Sequence, residues 1–135
     1  MSVSRTERDD ALAIGRLVDE YTDAVSRGDV EGFGRCWTAE GRWTGPGLDC
    51  EGIFAITSAF AKMRGRITSA EQEVLTGDVT VEGDRATGTW EIHETIVDRD
   101  HEVRERVGRY DDEYRRTRDG WKFASRAFTP APAAT

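Results

Sequence analysis

Val103-Arg-Glu-Arg-Val107-Gly-Arg-Tyr110-Asp-Asp112-Glu-Tyr114-Arg-Arg-Thr117 decides the fold. In an extended strand, successive side chains point to opposite faces. One face here carries Gly108, Tyr110, Asp112, Tyr114 and Arg116, and the other carries Val107, Arg109, Asp111, Glu113 and Arg115. The second set is nearly all charged, so the first points inward and takes a carboxylate into an aromatic-walled interior. On the preceding strand the bulk of Trp90, Ile92, Glu94 and Ile96 selects that face as inward and leaves Thr89, Glu91, His93 and Thr95 outward. A single bulge would exchange the two faces and turn His93 inward instead of Glu94.

Working outward, strand patterns cover 71–82, 85–98, 103–117 and 121–128, separated by Gly83-Asp84, Arg99-Asp100-His101 and Arg118-Asp119-Gly120. Such short turn-rich breaks join antiparallel neighbours. Upstream, Ile14, Leu17, Val18, Tyr21 and Val25 recur at helical spacing over 10–26. Thr6, Asp9 or Asp10 can cap that helix, and Gly28 suits the left-handed residue after it. Asp29 can cap a short second helix running through Trp37, with Cys36 packed in its core and a turn at Ala39-Glu40-Gly41. A short extended piece, Arg42 to Thr44, then meets the Gly45-Pro46-Gly47 turn, and a loop runs from Leu48 to Gly52. Ile53, Ile56, Phe60 and Met63 mark a third helix closed by Gly65, and the Pro130/Pro132 tail is expected to fray. Three helices and a long meander give an α+β chain: one domain over 1–135, core about 10–128, tail 129–135, helices on one face of a curved sheet and a pocket between them.

Charge and composition narrow the partners. With 135 residues and a net charge of -7, the surface repels nucleic acid and anionic membranes, so neither is expected as a partner. No apolar run reaches the roughly 18 residues of a spanning helix, and residues 1–10 have no apolar core for a signal peptide, so a cytoplasmic protein is expected. Cys36 and Cys50, the two cysteines, match no metal or redox spacing and are read as reduced. The two histidines lie eight residues apart with no Cys/His cluster, so no metal is expected. GxGxxG, GxxxxGK[ST] and GxSxG are all missing, and no cofactor is expected.

The ordered set Tyr21, Arg27-Gly28-Asp29, Phe33, Trp37 to Trp43, Val81 to Ala86, Gly108 to Tyr114 and Asp119 to Phe123 resembles the SnoaL-like branch of the nuclear transport factor 2-like superfamily over residues 10–128. The resemblance implies a cone, a bent sheet folded round three helices, with a ligand pocket at the wide end and frequent homodimers, so a homodimer is expected of this chain. Ketosteroid isomerases, polyketide cyclases, scytalone-type dehydratases and dioxygenase small subunits all use this fold, so function must come from the pocket.

The resemblance places Tyr21 as a phenol donating into the pocket, and Asp112 where the isomerases carry a protonated, hydrogen-bonding aspartic acid. Burial raises a carboxyl pKa, which would ready Asp112 as a proton donor or shuttle, while pairing with an arginine such as Arg116 would make it structural. Glu94 is a second candidate pocket acid, and His93 a general base if it turns inward. Trp43 is placed at the mouth, with Trp90, Tyr110 and Tyr114 as walls suited to a flat apolar or aromatic ligand. Trp37 and Trp121 are read as packing. Three departures stand out: the isomerase-type base would fall near Gly45, the dehydratase-type aspartate is Ser26, and the dehydratase histidine would lie in Ser69 to Glu73, which holds none. Two functions therefore compete. One is a cofactor-independent enzyme for cyclisation, dehydration or isomerisation of a small apolar or aromatic carbonyl compound. The other is a non-catalytic binding or assembly module resembling a dioxygenase small subunit.

Overall fold

The apolar stripe read between residues 10 and 26 is the inner face of a longer helix, α1 (Arg5–Arg27), in a computed structural model that describes residues 5–132. Ile14, Leu17, Val18, Tyr21, Ala24 and Val25 are all buried along it. Thr6, Asp9 and Asp10 lie inside the helix instead of capping it. Gly28 takes φ 66°, with Asp29 N–H bonded to Ala24 O and Gly28 N–H to Val25 O, the pattern of a left-handed helix stop.

Asp29 caps α2 (Val30–Arg35), its carboxylate accepting Gly32 N–H at 2.9 Å. The helix is shorter than the spacing suggested. Cys36 is its C-cap, and Trp37 opens β1 (Trp37–Gly45), which absorbs the expected turn at Ala39-Glu40-Gly41. Gly41 acts as a packing glycine: a Cβ there would lie 2.9 Å from Trp37 Cε3. The expected loop after Pro46-Gly47 is β2 (Leu48–Glu51), paired antiparallel with β1, with Gly47 at φ 71° in the turn. Then come α3 (Ile53–Gly65), β3 (Ile67–Glu82), β4 (Arg85–Asp98), β5 (Val103–Thr117) and β6 (Gly120–Pro130).

The six strands form one open curved sheet in the order β2-β1-β6-β5-β4-β3. It is mixed, since β1 runs parallel to β6 while the other neighbours are antiparallel. β6 continues to Pro130, and Ala131 N–H bonds to Val107 O at 2.8 Å, so the chain there is held where fraying was expected. Residues 133–135 of the expected tail lie outside the described residues. Both cysteines are free, and burial pushes the Cys36 thiol up to about 12. Among the described residues no helix is long and apolar enough to cross a membrane.

At one end of the core, Arg116 spans elements distant in sequence. Its Nη1 and Nη2 donate to both Asp10 oxygens at 2.8 and 2.7 Å, Trp121 Nε1 adds a bond at 3.2 Å, and Arg116 Nε reaches Asp84. Arg116 therefore serves Asp10 and Asp84, and Asp112 has another partner. The Arg116 guanidinium holds the Asp10 carboxyl below its usual range, with burial opposing and Trp121 assisting. A depressed folded-state pKa adds stability above the unfolded pKa near 4, lost as pH falls through the folded value. Arg116 is 37% exposed, so Asp10→Asn is expected to remove at most about 1 kcal/mol at about pH 6, a gap that narrows in acid. Urea midpoints across pH test this, and a gap constant into acid would contradict it.

Candidate active site

The parity read from β5 holds in three dimensions. Tyr110, Asp112 and Tyr114 are buried, Arg109 and Glu113 are exposed, and β4 pairs with β5 in unbroken register from Arg85 to Val97. Glu94 accordingly faces inward, 4% exposed. His93 points outward, with Nε2 3.5 Å from Glu105 on the outer face, so it is not positioned as a base for the interior.

At the wide end, between α1, α3 and the sheet, lies a cavity of about 60 Å³ bounded by Tyr21, Trp43, Gln72, Glu94, Arg106 and Tyr110 among others. Five of its polar side chains form one chain, while Arg64, which also borders it, donates to the Val25 and Ser26 carbonyls. Tyr21 Oη and Tyr110 Oη are 3.3 Å apart, and Gln72 Nε2 donates to Tyr110 Oη at 3.0 Å and to Glu94 Oε2 at 2.8 Å. Arg106 Nε donates to Glu94 Oε1 at 2.6 Å. Burial pushes both phenols up from their ordinary value, with the Arg126 charge opposing, so at neutral pH they remain donors. Two hydroxyl protons share one Tyr21–Tyr110 bond, which leaves one proton for a ligand oxygen.

Asp112 sits behind this cavity and does not line it. Its Oδ1 accepts Arg126 Nε at 2.9 Å and its Oδ2 accepts the Tyr114 hydroxyl at 2.6 Å, with both side chains of the ion pair essentially inaccessible. Burial pushes the Asp112 carboxyl up, while Arg126 and Tyr114 hold it back. Tyr114 in turn accepts Trp90 Nε1 at 2.7 Å, in space that Gly88 leaves open: a Cβ there would lie 2.8 Å from the Tyr114 oxygen. Trp90, Asp112 and Tyr114 are thus bonded to one another and do not line this cavity, which corrects their expected place in its wall; Trp90 is half-buried, and Tyr114 borders a separate hollow. Arg126 is 1% exposed; its Nη atoms have no hydrogen-bond partner among the described residues. Its Cζ lies 3.6 Å from the Tyr110 ring centroid and 4.3 Å from that of Tyr21, a cation enclosed by rings.

Gln72, Arg106 and Arg126 were missed from sequence. Arg106 shares the parity of Tyr110, a signal that was present. Gln72 was hidden by an irregularity between Ile67 and Ser69: alternation from Ile67 would turn it outward, whereas beyond the shift Ala70 and Gln72 face the interior. Arg126 was hidden because β6 is irregular where Glu113 pairs with Ser125 and Tyr114 with Phe123, so Ala124 is extra and alternation from Trp121 and Phe123 gives the wrong face beyond it.

Two further hollows adjoin the inner cavity, one of about 90 Å³ against Trp43, Pro46 and Phe128 and one of about 420 Å³ floored by Ile67 and Ile96. Arg106 and Met63 border all three. A separate hollow of about 290 Å³ near Glu82, Arg85 and Arg115 contains none of the Tyr21–Glu94 chain.

A bent sheet closed over helices, with polar groups converging at its wide end, defines the pocketed cones of the nuclear transport factor 2-like superfamily. Within it the chain belongs to the SnoaL-like domain family, whose profile matches residues 6–127. None of the curated proteins is a significant match. Among solved structures, a protein from Novosphingobium aromaticivorans provisionally named an aromatic ring hydroxylase is 26% identical, with TM-score 0.88 over 93% of this chain and 91% of that one. A provisionally named dehydratase of the NTF2-like family from Streptomyces avermitilis is 20% identical, with TM-score 0.85 over 93% and 99%. A provisionally named scytalone dehydratase from N. aromaticivorans is 14% identical, with TM-score 0.84 over 90% and 84%. The last two likenesses concern the fold alone.

Proposed function

We propose that this chain is a cofactor-independent catalyst of proton transfer on a small apolar or aromatic carbonyl compound, in a dehydration, isomerisation or cyclisation. The observation that carries this reading is the convergence of the Tyr21–Tyr110 hydroxyl pair and the Glu94 carboxylate on one apolar-walled cavity. The ligand's carbonyl oxygen accepts the free phenol proton, and Glu94 removes a proton from the adjacent carbon. Negative charge then develops at the oxygen beside Tyr110, where the buried Arg126 cation favours it. Glu94 afterwards returns its proton to another carbon in an isomerisation, or to a departing hydroxyl in a dehydration. Arg106 and Met63, 45% and 40% exposed, stand where the three hollows meet, and turning them outward would join these into a ligand-sized site.

A second reading, a non-catalytic binding module, draws on one observation: both Glu94 oxygens already accept hydrogen bonds, from Gln72 and Arg106. Exchange of the α-protons of 2-tetralone in deuterated water, followed by NMR, separates the two. Acceleration over buffer is expected. Saturable binding of 2-tetralone without acceleration would favour the module.

A further inference from the structure

We infer that the ligand is an organic anion, an apolar body carrying a carboxylate, with the anion held at the mouth by Arg66 and Arg104; this rests on the proposed pocket and specifies its substrate class. The protein carries a net charge of -7, yet its outermost hollow is bordered by Arg66, Arg104 and Arg106. Glu105, the carboxylate beside them, lies 3.5 Å from His93 on the outer face. Arg106 is engaged with Glu94. Arg66 and Arg104 have no ion-pair or hydrogen-bond partner for their side chains among the described residues.

Their placement follows from the sequence. Arg104 has the parity of Arg106 and Tyr110 on β5, directly opposite Ile96 on β4, so its stem runs along the inner face at the open end. Arg66 is the C-cap of α3, one residue before Ile67 enters β3. Two unpaired guanidiniums thus flank an apolar floor of Met63, Ile67 and Ile96, with the catalytic chain deeper in. A guanidinium presents a planar fork of N–H donors that fits a carboxylate in two parallel bonds. An anion held there fixes which end of the molecule enters, and the opposite, uncharged end meets Tyr21, Tyr110 and Glu94.

The test uses isothermal titration calorimetry with 2-naphthoate and its neutral near-isostere 2-naphthamide. Wild type is expected to bind the naphthoate about tenfold or more tightly, as hydrogen bonds to charged groups imply, with the advantage shrinking as salt is added. Arg66→Gln/Arg104→Gln should bring the two probes to within about twofold of each other, through a loss of naphthoate affinity that far exceeds any change for naphthamide. Both substitutions are at exposed positions, so the fold is kept. Equal binding of the probes by wild type, or a naphthoate preference that survives in the double variant, overturns the anion inference while the pocket reading stands. Binding of neither probe overturns both.

Discussion

Replacing Asp112 with asparagine is expected to destabilise the protein by about 3–5 kcal/mol, because it leaves the Arg126 cation buried without a counter-charge. Arg126 and Asp112 side chains are 1% and 0% exposed, so water cannot take over the lost charge. The Nε–Oδ1 bond is also the only hydrogen bond Arg126 makes through its guanidinium among the described residues. Asparagine keeps the shape and one acceptor, so the loss reports charge more than packing. The effect should be visible as a large drop in the urea midpoint. Adding Arg126→Met to the variant should recover part of the loss, since removing both charges also removes the desolvation penalty of the survivor. A single-variant loss below about 1 kcal/mol would mean that Arg126 is not confined as described.

This outcome differs from what the sequence suggested, and the difference has a physical source. Alternation along β5 correctly identified Tyr110, Asp112 and Tyr114 as inward, because a strand with one charged face and one aromatic face has only one orientation with an acceptable burial energy. The same logic placed Glu94 inward and His93 outward, and the unbroken β4–β5 register made it hold. Facing inward is nevertheless not the same as facing a cavity. Whether Asp112 is pocket or core depends on Arg126, and the extra residue Ala124 in β6 conceals that arginine's direction from any count of alternation. Arg42 to Thr44 was rightly read as extended, but the part of β1 before it, Trp37 to Gly41, was illegible for a related reason. Its glycine reads locally as a breaker, whereas its lack of a side chain lets the Trp37 ring lie against the strand, a requirement set by tertiary packing. In the cavity itself, Tyr21, Trp43, Glu94 and Tyr110 could be picked out one at a time from periodicity and resemblance. The hydrogen bonds joining Gln72 to both Glu94 and Tyr110 cross strands, and no single segment's pattern encodes them.

Glu94→Gln is expected to slow proton transfer by about 10²–10⁴-fold, the usual contribution of a positioned acid or base, with little loss of stability. The contrast with Asp112 follows from the partner. Arg106 is 45% exposed, so once Glu94 loses its charge the guanidinium is solvated rather than stranded. Glutamine also keeps an oxygen that can accept from Gln72 or Arg106. For the hydroxyl pair the expected behaviour is non-additive. Tyr21 and Tyr110 share one bond between two protons, so in either Tyr→Phe single variant the remaining hydroxyl has its proton free for the ligand oxygen. Each single variant should therefore lose far less than the double Tyr21→Phe/Tyr110→Phe, for which a loss of about 10²–10³-fold is expected, as for removal of a preorganised oxyanion donor. Both rings remain to pack against Arg126, Tyr21 also on Phe123 and Tyr110 on Phe128, so the urea midpoints should move little compared with Asp112→Asn. Exchange rates of 2-tetralone protons, measured for all four proteins alongside wild type, decide the assignment. A Glu94→Gln protein that exchanges at the wild-type rate removes Glu94 as the base, and a double phenylalanine variant at the wild-type rate removes the hydroxyl pair as the site where the oxyanion forms.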